Sequence, residues 1–138
     1  MAYPVSLRRI LNLADPVACP PWECGILLSK EDVLNAISKQ DWLALPVDDS
    51  EQGNPFAHAR RIAYLVEYGW DDPIEVDVGI PSLGCNPVWP VLDGNHRVYA
   101  AAIRGDAEIV VTVAGDLGYA AQLFGIKARL LEERPAYV

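Results

Sequence analysis

No apolar run in this 138-residue chain reaches the length a bilayer demands, because proline, glycine or a charge interrupts each one. The N-terminus lacks the basic-then-apolar order of a secretion signal, so the sequence reads as a soluble, cytoplasmic protein that makes no membrane contact. Cysteine is scarce: three thiols, an odd number without a secretion signal, point to reduced side chains instead of a disulfide framework. Cys19, Cys24 and Cys85, even with His96 added, lack the tight ligand spacing of a zinc site, and buried structural thiols are the expectation. Positive charge is scarce as well, with 11 Lys and Arg against 19 Asp and Glu and a net charge of -8. Such a surface repels duplex phosphates, which disfavours DNA binding by the isolated chain, while leaving an acidic face for a protein partner. Internal repeats and low-complexity tracts are missing.

The chain does carry 51% hydrophobic residues and four tryptophans, enough for one sizeable core, and a single domain over 1–138 is expected. Its organising stretch runs from Trp89 to Gly105. A strand-like apolar run ends at Asp93, Gly94 permits a sharp turn, and a helical pattern opens with Asn95, His96 and Arg97. With Asn95 as N-cap, backbone N–H groups, the helix dipole and a guanidinium converge on one place, an anion site that suits phosphate. Arg104 and Gly105 form a readable helix end. His58, Arg60, Arg61, His96, Arg97 and Arg104 are a local basic cluster on an otherwise acidic chain, matched to a compact phosphate-bearing ligand.

The remaining elements follow from periodicity and punctuation. Ser6 to Leu13 predicts a short helix capped by Ser6. The Pro20-Pro21 region reads as irregular, Gly25 to Leu28 as a short strand, and Ser29 as the cap of a helix burying Val33, Leu34 and Ile37. Trp42 to Val47 is a plausible strand, and Asp48 to Pro55 an exposed, acidic loop. Phe56 to Tyr68 predicts a helix stopped by Gly69, and Ile74 to Val78 alternates as a half-buried strand. Pro81 to Pro87 reads as a loop around Gly84. Glu108 to Val113 predicts a strand covered on both faces. Asp116 is expected to cap a last helix carrying Leu117, Leu123 and Phe124 that is interrupted at Gly125, with a polar tail from Glu132 onward.

From Phe56 to Gly115 the order is helix, glycine, Asp-Pro-Ile strand, loop, strand, Asp-Gly-x-His-Arg turn, helix, glycine and apolar strand. This resembles the ParB and sulfiredoxin superfamily, whose helix start Gly-x-x-Arg-x-x-Ala matches Gly94, Arg97 and Ala100. The resemblance covers about 56–115, with 1–55 as an N-terminal extension packed on it. It implies an α+β fold, a small mixed sheet flanked by helices, with the turn set against a nucleotide's phosphates. Carried over to this chain, Gly94 lets the backbone approach phosphate, His96 and Arg97 donate to it, and Asn95 caps the helix and lines the site. Asn54-Pro55 and Arg60 echo the upstream nucleotide segment of partition proteins. Asn95 stands where sulfiredoxins carry a nucleophilic cysteine, which argues against sulfinic-acid reduction because an amide cannot replace a thiolate.

The resulting expectation is a small nucleotide-binding protein that takes ATP, ADP or CTP with Mg²⁺, with hydrolysis or phosphoryl transfer as its conceivable chemistry. Arg60 and Arg61 join Gly94 to Arg97 as candidate phosphate contacts, although they, like His58, suit a solvated helix face better than direct ligand contact. Asp93 and Glu51 are the candidate catalytic acids, with Asp93 as the metal ligand and the Asp48-Asp49 pair as a further source of carboxylates. Asp93 also fits capping or pairing with Arg97, which would merely lock the turn. Trp89 and Tyr99 lie near enough in sequence to stack on a base. The alternatives are a non-catalytic protein-interaction module of a plasmid, phage or defence system, and a DNA-binding or nuclease-like ParB domain.

Overall fold

A computed structural model describes residues 2–125. It is an α+β protein with five helices and one four-stranded mixed sheet among the described residues. The polar tail expected from Glu132 lies outside them. The described residues form two compact units, one built from 2–14, 72–94 and 107–125, the other from 15–71 and 95–106.

The first unit holds the sheet. Strand β1 is Ala2–Ser6, β2 is Ile74–Asp77, β3 is Val91–Asp93 and β4 is Glu108–Ala114. Their spatial order is β1-β4-β2-β3, with β4 antiparallel to β1 and parallel to β2, and β2 antiparallel to β3. Alternation decides the faces: Tyr3, Val5, Ile74, Val76, Ile109 and Val111 are buried, whereas Glu75 and Glu108 point outward. Strand β4 therefore departs from the expectation of burial on both faces, since Val110 is 44% exposed. A single sheet face needs covering here, so only alternate side chains are buried, although the apolar run is continuous.

Helices α1 (Leu7–Leu13) and α5 (Leu117–Phe124) complete this unit. Ser6 precedes α1 as expected but makes no side-chain cap bond. It is the last residue of β1, a strand the sequence reading missed because Pro4 interrupts it. Helix α5 begins as anticipated: the Asp116 carboxylate accepts from the Tyr119 N–H, and Gly125 ends it in the left-handed conformation.

The second unit is built on α2 (Lys30–Ser38), α3 (Pro55–Tyr68) and α4 (Asn95–Arg104). Ser29 and Asp32 form a reciprocal capping box at the start of α2. Val33 and Ala36 are buried on that helix, but Leu34 is 46% exposed, one residue off the apolar stripe. Asn54 caps α3 through the Phe56 N–H, with Pro55 at its first position. Cys24, Leu28, Val33, Ala59, Ile62, Leu65, Tyr99 and Ala100 make a contiguous buried cluster.

Two expected strands in this unit are absent. Gly25–Leu27 is a 3-10 turn, tied back by Gly25 N–H to the Trp22 carbonyl and Leu27 N–H to the Cys24 carbonyl, with Gly25 at a positive φ of 53°. Trp42 to Val47 is irregular, and α3 satisfies its backbone: Leu43 N–H donates to the Arg60 carbonyl, while Arg60 and Arg61 donate to the Trp42 and Ala44 carbonyls. An apolar run becomes a strand only beside a partner edge, and here helix side chains take that role. Among the described residues no helix is long and apolar enough to cross a membrane.

Candidate functional site

Helix α4 starts at Asn95, so Asn95 is its first residue and not the residue before it, as expected from its capping propensity. Gly94, with φ of 112°, holds the preceding position, a conformation that a residue with a Cβ adopts only under strain. The start of α4 brings His96 and Arg97 into the second unit. Asp93 and Gly94 belong to the first unit; Asp93 is exposed at the end of β3. Glu51 is exposed in a 3-10 turn, Asp49–Glu51, whose N-terminus is capped by the Asp48 carboxylate.

A pairing of His58 with His96 in the second unit was not anticipated. His58 Nδ1 and His96 Nε2 are 2.8 Å apart, and His58 Nε2 is 2.8 Å from the Gln52 backbone oxygen. The two imidazoles are nearly coplanar, at 15°. Trp22 lies flat over both, with its ring 4.7 Å from His58 at 28° and 4.3 Å from His96 at 18°. His58 is fully buried, which removes it both from the solvated helix face and from the ligand-contacting residues considered above. Its burial had a signal, since His58 lies one residue from Ala59 and one helical turn from Ile62, at the border of the α3 apolar stripe.

The electrostatics follow from this packing. Burial pushes His96 down to about 3, helped by His58, Arg61 and Arg97. Burial lowers His58 as well, against the opposing pull of its bond to the Gln52 carbonyl. Both rings are therefore neutral at neutral pH. The guanidiniums of Arg61 on α3 and Arg97 on α4 act on the same imidazole, and burial together with the Arg97 charge lowers Arg61, against the pull of Tyr64.

The other candidates are placed differently. Arg60 pairs with Asp41 at 2.9 Å, so its charge is spent on fastening the segment before α3. Arg61 donates to the Ala44 carbonyl at 2.7 Å and lies over the Tyr64 ring. Arg104 pairs with Asp106 and covers Trp70, a helix-end role. Tyr99 is fully buried, so it offers no face to a nucleobase, and Trp22 takes the stacking role with the histidines as its partners. Cys24 is buried but Cys19 and Cys85 are exposed, which corrects the expectation of buried thiols. Among the described residues no three His, Cys, Asp or Glu side chains gather as a metal cage. A phosphate-bound cation, which needs only one or two carboxylates, would call on fewer groups than that.

No family model, curated protein or solved structure matches the chain.

Proposed function

We propose that the protein binds a phosphate-bearing ligand, a nucleotide in the first instance, through the start of α4 and Arg61 of α3. What supports this reading is that the charges of Arg61 on α3 and Arg97 on α4 both act on His96, at the start of α4, in an otherwise acidic protein. Arginine is suited to the task because its planar fork meets phosphate oxygens in pairs. The resemblance to the ParB and sulfiredoxin superfamily points in the same direction, and Glu51, in the same unit, remains a proposed acid for a magnesium-assisted hydrolysis or transfer.

Calorimetric titration with ATP, ADP, CTP and GTP, with and without Mg²⁺, tests the reading. Binding of one nucleotide that Arg97→Ala weakens by about tenfold or more is the expected result. Failure of every nucleotide to bind the folded protein would overturn it.

A non-catalytic protein-binding module is the second reading. It is favoured by Ile26 and Leu27, which are 91% and 67% exposed on the turn that follows Trp22.

A further inference from the structure

The first unit holds a cleft of about 410 Å³, lined by Ser6, Arg8, Arg9, Asn12 and Leu13 at α1 and by Leu123 of α5. Arg8 with Asn12, and Arg9 with Leu13, are each four residues apart, so two adjacent ridges of α1 face it. Arg9 is anchored there. Its Nη1 donates to the Leu123 carbonyl at 3.1 Å, and a Cβ at Gly125, the left-handed end of α5, would lie 3.1 Å from the same nitrogen. That bond leaves the other N–H groups of the fork over. Arg8 is exposed and makes no hydrogen bond or ion pair among the described residues. No carboxylate among them lines the cleft, on a chain with 19 acidic side chains against 11 Lys and Arg. Two neighbouring guanidiniums without a carboxylate in their cleft attract an anion of matching charge.

We infer that this cleft binds a small phosphomonoester. Such an ester carries close to two negative charges at neutral pH and meets arginine forks with pairs of oxygens, whereas a carboxylate brings a single charge. Ser6, whose hydroxyl makes no cap bond to α1, and Asn12 offer further donors to the phosphate oxygens. Leu13 and Leu123 make part of the wall apolar, and the volume falls in the range of small-molecule sites. An ester with a compact apolar body therefore fills the cleft better than the bare ion does. None of these residues belongs to the nucleotide site proposed at α4, and either site can exist without the other.

The test titrates the ¹⁵N-labelled full chain with phenyl phosphate, inorganic phosphate and benzoate to millimolar concentrations, at neutral pH and matched ionic strength. Phenyl phosphate is expected to shift the amide signals of Arg8, Arg9, Asn12 and Leu123 saturably, and to bind about threefold tighter or more than either of the other two. Arg8→Gln removes a side chain that bonds to no described residue, so the fold is expected to persist while the affinity falls about fivefold or more. The dispersion of the variant's own spectrum checks that it is folded. No saturable shift at these residues, an affinity that Arg8→Gln leaves unchanged, or inorganic phosphate or benzoate binding as tightly as phenyl phosphate would overturn the inference. Shifts confined to the start of α4 would overturn it as well, because they would assign the anion to that site alone.

Discussion

His58 and His96 are 38 residues apart in the chain and share a hydrogen bond of 2.8 Å, coplanar to 15° beneath a single tryptophan. The bond joins α3 to α4, and its members are held neutral by the burial that also orients them.

This neutrality makes stability depend on pH. The unfolded chain binds protons at its histidines below the ordinary value of about 6.5, whereas folded His96 resists protonation down to about 3. Stability is thus fully present above the unfolded value and declines as the pH falls through that window, by at most about 1.4 kcal/mol per pH unit for each histidine. His58, lowered in the same direction, adds to the decline. Urea denaturation between about pH 7 and pH 4 checks this, and a flat profile would contradict it.

Trp22 stacks on both rings of the pair and covers one face of each. Trp22→Ala is expected to cost about 2–3 kcal/mol, less than a fully buried tryptophan would because this one is half-buried. With the imidazoles rehydrated, the variant should also lose part of the acid dependence. Denaturation at two pH values separates the packing loss, present at both, from the electrostatic part.

The Tyr99 hydroxyl is fully buried and meets no hydrogen-bond partner among the described residues. Burial, with Asp32 and Asp15 adding to it, pushes this phenol up to about 12. An unsatisfied buried hydroxyl is a net cost, so Tyr99→Phe is expected to leave the fold unchanged and raise stability by about 1 kcal/mol. A loss of that size would show instead that an internal water bonds the hydroxyl.

The thiols should divide two to one. Cys19 and Cys85 are exposed, while Cys24 is buried and its pKa is raised by that burial. A thiolate-directed reagent applied to the native protein is expected to label Cys19 and Cys85 rapidly, and Cys24 only at the rate of unfolding. Mass spectrometry of the labelled peptides reads the outcome directly.

Local chemistry made much of the helical structure legible. Ser29 with Asp32, Asn54 with Pro55, and Asp116 with Gly125 mark helix ends through bonds a few residues long, and these appear where the residues place them. Strands were less legible. Gly25 to Leu28 and Trp42 to Val47 have strand-like composition but no partner edge, whereas Ala2–Ser6, broken by Pro4, pairs with β4 along its whole length. Of the candidate site, Gly94 to Arg97 could be found as a turn and helix start. The commitment of Arg60 to Asp41 could not, because that partner comes from 19 residues upstream.

By itself the sequence determined which segments are helical, where most of them begin and end, and that the chain is acidic. These properties rest on backbone sterics, capping and net charge, all of which act over a turn or over the whole composition. Only the tertiary structure decided that His58 is buried, that its ring meets His96 edge to edge, and that Trp22 covers both. Those facts depend on how α3 packs beside α4, which brings into one hydrogen bond two imidazoles that lie 38 residues apart in the chain.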